Sequence, residues 1–204
     1  MEREEDESSN TDRSDTSAAE NQSKLLNPKV LEDDFSDSDD EITELYTAYG
    51  NYTGEKNSLD KPHGKGILAE NGKKIYEGNF SDGKFSGFGI FYFKDGNIRY
   101  QGNWVSGKNS GKGINYFHNG SKEYEGDWLA NQSHGFGKQY YKNGQPKYVG
   151  KWFHNNYQGI GQEFRKDGTL IYEGFYKNNE WDGEGTEYRK DGQKKIHEGR
   201  WKDR

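Results

Sequence analysis

The stretch that comes nearest to a known ligand-binding motif is GNWVSGKN, from Gly102 to Asn109. It approximates the phosphate-binding loop GxxxxGK[ST], in which backbone N–H groups and the lysine hold phosphates and the final hydroxyl binds Mg²⁺. Asn109 stands where that hydroxyl would be. A phosphate-binding loop also joins a strand to a helix, whereas the residues here alternate as strands do. We therefore expect no nucleotide to bind at this segment.

The histidines and acidic pairs do not form a recognisable catalytic or metal-binding set. His63 and His134 each precede a GxG pair, but serine, glutamine or aspartate takes that place elsewhere. No two histidines have the spacing of a zinc site. Asp182 and Glu184 are two residues apart, as expected for solvent-facing positions of a strand. Because no nucleophile, base and oxyanion donors recur together, we expect no enzymatic activity, no metal and no cofactor.

The composition limits the kinds of fold that the chain can form. Only 28% of the 204 residues are apolar but 15% are aromatic, so we expect buried surface to consist mainly of rings. No apolar run approaches the roughly 18 residues of a membrane-spanning helix. The first ten residues, MEREEDESSN, are acidic where a signal peptide is basic, and we expect an intracellular protein. The absence of cysteine excludes disulfides and thiolate zinc sites.

Charge divides the chain into two regions. Residues 1–50 hold 16 acidic and 4 basic side chains, whereas residues 51–204 hold 19 acidic and 25 basic ones. Residues 1–41 are predicted to be a disordered acidic tail, because their few apolar side chains cannot offset the entropy lost on ordering. Ser36 and Ser38 each have an acidic residue three places downstream, as the sites of acidophilic kinases do. Both are candidate phosphorylation sites, and the alternative is a purely solvating tail.

Three glycine series repeat along most of the chain. Asn-Gly or Asp-Gly pairs end at Gly72 and then at every twenty-fourth residue as far as Gly192. A GxG pair such as Gly135 and Gly137 recurs in each unit, and so does the glycine of a YxG triplet, such as Gly126. Self-similarity at a fixed period of 20–50 residues is typical of a solenoid or array.

Each unit contains two short segments with the periodicity of strands. Tyr124, Gly126 and Trp128 share one face of the first segment, and polar residues occupy the other face. The following LANQSH is expected to be the connecting loop and GFGKQYY the second strand. Asn143 and Gly144 are expected to supply the two positive φ angles of a tight hairpin turn. The unit is therefore predicted to be a β-hairpin.

Aromatic residues recur at three positions of the unit and are predicted to form three rows. A glycine between two rings on one face would let neighbouring rings lie over bare backbone. We therefore predict an all-β fold, an elongated single-layer antiparallel sheet of repeated β-hairpins that neighbouring units stabilise. The rows, which are also candidate contacts for a protein partner, are Tyr76, Tyr100, Tyr124, Tyr148 and Tyr172; Phe80, Trp104, Trp128, Trp152 and Tyr176; and Tyr92, Tyr116, Tyr140, Phe164 and Tyr188, with Trp201 in the final strand.

The units resemble the MORN repeat, whose pattern is YxGxWxxGxxxGxG. The resemblance covers about residues 52–204 and rests on segments such as YEGNFSDGKFSGFG, YQGNWVSGKNSGKG and YEGDWLANQSHGFG. The period here is 24 residues, where the common form has 23, and asparagine replaces the middle glycine in later units, at Asn131, Asn155 and Asn179. The resemblance implies the hairpin array of the MORN family.

The expected function is that of a non-catalytic scaffold or adaptor that binds proteins. The resemblance implies a place in membrane-associated, ciliary or cytoskeletal assemblies. It also raises an alternative, a peripheral phospholipid-binding module for phosphoinositides, or a regulatory relative of phosphoinositide kinases without the kinase domain. Dispersed charge favours protein partners over a membrane, and no nucleic acid is expected because the rings are needed inside the sheet. The lysines that would meet anionic headgroups are Lys84, Lys108, Lys112, Lys147, Lys151, Lys194 and Lys195.

Two further predictions concern the ends of the array. Residues 42–51 are a candidate capping segment, because four apolar or aromatic residues within them have the spacing of one helical face. The strand that contains Trp201 has no following mate in the repeat pattern. We expect it to pair with a second copy or with a partner protein by strand addition.

Overall fold

The computed structural model describes residues 51–191 and, mainly for the backbone, residues 195–201. The predictions for the acidic tail, for Ser36 and Ser38, for the capping segment before residue 51 and for Lys194 lie outside these residues. The described residues form thirteen strands: β1 (Asn51–Lys56), β2 (Pro62–Glu70), β3 (Lys73–Ser81), β4 (Lys84–Tyr92), β5 (Ile98–Val105), β6 (Lys108–Tyr116), β7 (Lys122–Leu129), β8 (Gln132–Tyr140), β9 (Pro146–Phe153), β10 (Asn156–Phe164), β11 (Leu170–Lys177), β12 (Glu180–Tyr188) and β13 (Lys195–Trp201).

All thirteen strands belong to one open sheet, in which they follow one another in chain order. Every strand is antiparallel to its neighbours. Within the described residues no second sheet and no helix covers either face, so no helix there could cross a membrane. The predicted all-β, single-layer sheet of repeated hairpins is confirmed. The segment GNWVSGKN forms the end of β5, a turn and the start of β6.

Apart from Asn71–Gly72, the two-residue turns of the described residues lie at the opposite end of the hairpins from the end that the sequence predicts. β7 ends at Leu129 and β8 begins at Gln132, and the two residues between them, Ala130 and Asn131, have φ angles of 49° and 68°. Two positive φ angles are typical of a two-residue type I′ turn. The prediction that LANQSH is a connecting loop is therefore wrong, because all of it but Ala130 and Asn131 lies in strands.

The Asn143–Gly144 pair lies in a longer turn between β8 and β9. Gly144 has a φ of 84°, but Asn143 is not among the residues with positive φ. The Gly144 N–H donates to the Tyr141 carbonyl, and the Tyr141 N–H donates to the Gln145 carbonyl, both at 2.8 Å. The prediction of two positive φ angles is wrong for Asn143, because a connection of this length needs only one left-handed residue to reverse the chain.

Glycines face one another across neighbouring strands in the middle of the sheet. Gly102 of β5 lies opposite Gly89 of β4 and opposite Gly113 of β6. The ring of Tyr100 lies over this region, and a Cβ on Gly113 would overlap its phenol group. A Cβ on Gly102 would come within 2.5 Å of the Gly113 Cα. The predicted role of these glycines, to let rings lie over bare backbone, is confirmed.

The first two aromatic rows share one face of the sheet, which we call the ring face. Tyr100 packs edge to face against Trp104 of its own unit, with centroids 5.0 Å apart, and against Trp128 of the next unit at 5.5 Å. Such contacts continue along the sheet and connect each unit with its neighbours. The tyrosines of the first row are at most 4% exposed. These rings therefore form the core of the fold.

Candidate interaction surfaces

The face opposite the ring face, which we call the groove face, carries exposed apolar side chains at a repeated position. Phe88, Phe136 and Ile160 stand between the two glycines of three GxG pairs and are 50%, 52% and 61% exposed, and Lys112 takes this position in the unit between Phe88 and Phe136. Phe175 lies opposite Ile160 on the neighbouring strand and is 45% exposed. Exposed apolar residues that are grouped in this way mark interaction sites more often than scattered ones do.

A β-bulge explains why these side chains point outward. In the β3–β4 pair, Gly78 lies opposite Gly89 and Asn79 lies opposite Ser86, so Gly87 and Phe88 have no partner on β3. Gly87 has a φ of 60°, which a side chain would strain. A bulge bends its strand and redirects the extra residue. The two glycines of each GxG pair thus have different roles, because the first permits the bulge and the second makes room for a tyrosine ring.

Concavities lie between these apolar side chains on the groove face. One, of about 510 Å³, is lined by Phe88, Ile114 and Phe136 together with Lys112 and Lys138. Another, of about 470 Å³, is lined by Ile160, Phe175, Glu173 and Thr186 among others. Both are shallow and open, and their lining mixes apolar and charged groups, which suits a polypeptide surface better than a small molecule.

Ion pairs and hydrogen bonds hold the polar side chains of the groove face in place. Lys112 Nζ lies 2.6 Å from Asp127 Oδ1, and the Phe136 N–H donates to Asp127 Oδ2 at 3.0 Å. Partial burial would raise the pKa of Asp127, but these two donors outweigh it and the pKa lies below its ordinary value. The carboxylate therefore stays ionised and fixes the bulge that carries Phe136.

The third predicted aromatic row lies on the groove face, apart from the first two rows. Tyr140 donates to Glu125 Oε2 at 3.1 Å, and Lys122 Nζ lies 2.8 Å from the same oxygen. The hydrogen bond from Lys122 is the main reason that the pKa of Glu125 is lowered. Tyr92 and Tyr188 make the same contact with the equivalent glutamates. This row is half-buried, and its hydrogen-bonded tyrosines Tyr92, Tyr140 and Tyr188 lie beside the apolar residues of the groove face.

The structure separates the predicted partner contacts into inaccessible and accessible ones. The first row is buried, and the second row is buried except for Trp128, which is half-buried. The half-buried third row and Trp128 are therefore the rings of these rows that a partner could contact. The side chain of Trp201 lies outside the described part of the chain. Binding by the predicted rings stays a prediction, and burial restricts it to the third row and Trp128.

The predicted lipid-facing lysines do not lie on one surface. Lys84 and Lys108 begin β4 and β6 beside the type I′ turns, whereas Lys147 lies near the longer turns at the other end of the strands. Lys112 and Lys151 lie on the groove face next to the bulges. The side chain of Lys195 is not described. The repeat thus places the described lysines at both ends of the strands and on the groove face.

Another repeated contact, which sequence reasoning missed, connects the longer turns of neighbouring units. The His118 ring stacks on Phe93 with centroids 3.9 Å apart, and Lys142 Nζ lies 5.7 Å from the Phe117 centroid. The same arrangement places Lys166 over Tyr141. The residues Phe93, Phe117 and Tyr141 are 24 apart, so their period could have revealed them, as it could have revealed Phe88 and its equivalents.

The histidines that precede the GxG pairs do not assemble a chemical centre. His134 contacts Phe153 and His154, with ring centroids 5.3 and 5.4 Å away. Across the described residues no three His, Asp or Glu side chains are grouped closely enough to hold a metal ion. His134 thus contributes ring contacts beside a type I′ turn, and His63 Nδ1 lies 3.7 Å from Asp82 Oδ1.

Comparison with known proteins identifies the repeat. A family model described as MORN repeat matches residues 76–98, 100–122, 124–145, 148–170 and 172–194, which together are more than half of the chain. Each matched segment begins at a tyrosine of the first aromatic row, whose ring lies over the facing glycines. A search of curated proteins found no match.

Proposed function

Because the chain belongs to the MORN repeat family, we propose that it is a non-catalytic scaffold or adaptor that holds a protein partner on its groove face. MORN repeats are consistent with protein or membrane interaction in general. Support for a protein partner comes from the side chains that the groove face presents. The aromatic core occupies the ring face, and the bulges direct further apolar residues toward solvent.

The observation that carries this proposal is the exposed apolar series Phe88, Phe136 and Ile160. Full burial of one such side chain contributes about 1.5–3 kcal/mol. Covering all three would therefore supply a large part of the binding free energy of a specific complex. Most of a monomer's exposed apolar residues are scattered. Phe88, Phe136 and Ile160 share one face and one position of the repeat, because each stands at the bulge of its unit.

The polar groups around this series support the same role. The Lys112–Asp127 pair and the Lys122–Glu125–Tyr140 contacts restrict side chains before a partner arrives. Restricted side chains lose less entropy on binding. A rim of fixed polar groups also excludes water from apolar contacts at the centre of an interface.

A phospholipid surface is the less favoured partner. A flat bilayer can contact only one surface of a sheet at a time, and the five predicted lysines whose side chains are described lie at both ends of the strands and on the groove face. Their attraction to anionic headgroups would therefore not add up. The family resemblance alone supports an intracellular place in membrane-associated, ciliary or cytoskeletal assemblies, and we propose that setting on this basis.

Self-association remains a second proposal for the edge of the sheet. β13 pairs with β12 on one side, and no described strand pairs with its other side. An open strand edge offers unpaired N–H and C=O groups to a second copy or to a partner strand. Sedimentation analysis over a range of protein concentrations tests it, because a purely monomeric chain at high concentration would contradict this pairing.

The test of the groove face compares two triple variants of the full chain. Phe88→Ser, Phe136→Ser and Ile160→Ser together remove the groove series. Val105→Ser, Leu129→Ser and Phe153→Ser remove equally exposed apolar residues of the same face that lie beside the type I′ turns, so the comparison locates the contact within the groove face. Proteins captured from native cells by the unmodified chain should be lost with the first variant and kept with the second. Circular dichroism must show both variants folded. Equal capture of proteins by the unmodified chain and by both variants would contradict the proposal. Capture that is abolished by adding phosphoinositide vesicles alone would also contradict it.

A further inference from the structure

The described residues contain three Asn-Gly pairs, and the sheet places them in two kinds of turn. Asn119–Gly120 and Asn143–Gly144 lie in the longer turns that follow β6 and β8. Asn71–Gly72 forms the whole connection between β2 and β3, with φ angles of 51° and 76°. Asn-Gly is the dipeptide in which the next residue's amide nitrogen most readily attacks the asparagine side chain, because glycine has no side chain to obstruct the approach. The three pairs share this dipeptide, and the structure distinguishes them by turn type and by hydrogen bonds.

Hydrogen bonds hold both reacting groups of Asn143–Gly144. Asn143 Nδ2 donates to the Lys166 carbonyl at 2.8 Å, and Asn143 Oδ1 accepts from the Gln145 N–H at 3.1 Å. The Gly144 N–H, which supplies the attacking nitrogen, donates to the Tyr141 carbonyl at 2.8 Å. Attack on the side chain requires all three bonds to open together.

The Asn119–Gly120 pair is held in the same way. Asn119 Nδ2 donates to the Lys142 carbonyl at 3.2 Å, and Asn119 Oδ1 accepts from the N–H and hydroxyl of Ser121. The Gly120 N–H donates to the Phe117 carbonyl at 2.9 Å. Side-chain bonds to a backbone N–H two residues ahead are typical of Asx turns, and here they fix the amide away from the glycine nitrogen.

Asn71–Gly72 has none of these restraints. Among the described residues the Asn71 side chain and the Gly72 N–H make no hydrogen bond, and both residues are exposed. The space beside Gly72 is open, as it is beside Gly120 and Gly144, so the pairs differ in their hydrogen bonds and not in crowding. In a two-residue turn the closing bonds join the flanking strand residues Glu70 and Lys73, which leaves the two central residues free.

We propose that Asn71 is a selective site of spontaneous deamidation in the folded protein. A solution base takes the proton from the Gly72 amide nitrogen, whose electron pair forms a bond to Cγ of Asn71. The Cγ–Nδ2 bond breaks, and Nδ2 takes up a proton from solvent and leaves as ammonia, so that a five-membered succinimide remains. Water then opens either of its two carbonyl–nitrogen bonds and yields aspartate or isoaspartate. No electron is transferred to or from the protein.

The products change the hairpin that β2 and β3 form. Both introduce a carboxylate two residues before Lys73 and three before Lys74. Lys73 Nζ donates to the Lys94 carbonyl at 3.1 Å, and Lys74 Nζ lies 2.7 Å from Glu77 Oε2. The new carboxylate therefore competes with the Lys94 carbonyl and with Glu77 for these two lysines. Isoaspartate also adds a backbone methylene to a two-residue turn, which changes the register that the turn sets.

The test incubates the full chain at mildly alkaline pH and follows the three asparagines by peptide mapping with mass spectrometry. In the folded chain Asn71 should convert roughly tenfold or more faster than Asn119 and Asn143, because only the latter must first lose their hydrogen bonds. In concentrated urea the three rates should approach one another. The Asn71→Gln variant should lose the fast conversion and leave the other two rates unchanged.

Two results obtained with the folded chain would overturn the assignment. One is equal conversion of the three sites in the folded chain, and the other is faster conversion at Asn119 or Asn143 than at Asn71. A difference between sites that persists in urea would also contradict it, since local sequence and not the fold would then set the rates.

Discussion

The side-chain Oδ1 of Asn131 accepts a hydrogen bond from the backbone N–H of Asn109, 2.7 Å away, and the Asn131 N–H donates to the Asn109 carbonyl at 3.0 Å. Asn131 lies in the type I′ turn of one unit and Asn109 in a strand of the preceding unit. The same pair of bonds joins Asn155 to Ser133. At Gly107, which has no side chain, only the backbone bond to Phe85 is present. The asparagines that replace the middle glycine thus add one hydrogen bond between neighbouring units.

We therefore expect Asn131→Gly to lower the free energy of unfolding by about 1 kcal/mol, since it keeps the positive φ and the backbone bond but loses the side-chain acceptor. Gly107→Asn is the reverse change and should stabilise the chain by a comparable amount. Denaturant unfolding followed by tryptophan fluorescence measures both. Destabilisation by Gly107→Asn would show that the extra bond does not transfer between units.

The two glycines of a GxG pair should respond differently to alanine. Gly113→Ala places a methyl group against the Tyr100 ring and should destabilise the chain by about 3 kcal/mol, as overpacking in a rigid core does. Gly111→Ala meets no crowded contact but strains a φ of 74°, and should cost about 1–2 kcal/mol. Gly111→Asn should cost less than Gly111→Ala, because asparagine tolerates that φ. Urea denaturation of the three variants checks this order, and equal losses for Gly111→Ala and Gly111→Asn would exclude backbone strain as the cause.

The tyrosines of the first row should resist ionisation until the sheet unfolds. Burial raises the pKa of Tyr76, Tyr100, Tyr124 and Tyr148 well above the ordinary value of 10.0. A group whose pKa is raised in the folded state binds its proton more tightly there, so the stability that it contributes is complete below pH 10.0 and is lost as the pH rises further.

Absorbance titration of tyrosinate, recorded together with circular dichroism, tests this pH dependence. Part of the tyrosine signal should appear only together with loss of β structure in strongly alkaline solution. Ionisation of all tyrosines near their ordinary pKa while the β signal persists would contradict the burial of the first row.

Trp128 should couple two halves of the aromatic core. The buried rings form one cluster around Tyr76 and Tyr100 and another around Tyr148 and Tyr172, and Trp128 packs against both. In a repeat array stability is the sum of units and of contacts between neighbours. Trp128→Ala should therefore separate unfolding into two transitions, whereas Trp152→Ala, which alters one cluster, should lower the stability of that half. Denaturant unfolding followed by hydrogen exchange resolves the halves, and a single cooperative transition in Trp128→Ala would show that the backbone alone couples them.

The repeat and its period determine most of this architecture, and the sequence alone shows both. The spacing of Tyr100, Gly102 and Trp104 places them on one strand face. A glycine leaves room for a ring whether that ring belongs to its own unit or to a neighbouring one. Alternation and spacing are local properties of the chain. For that reason the single-layer antiparallel sheet and the packing of rings over glycine were predictable.

Only the tertiary structure decides where each turn is tight and which face each ring occupies. The Asn143–Gly144 pair has the composition of a type I′ turn, yet the pairing of β7 with β8 places that turn at Ala130 and Asn131, because register depends on the partner strand. The bulge between β7 and β8 likewise leaves Phe136 without a partner on β7, and the contact with Glu125 holds Tyr140 on the groove face. Bulges and cross-strand contacts depend on two strands at once, and no period along one strand specifies them.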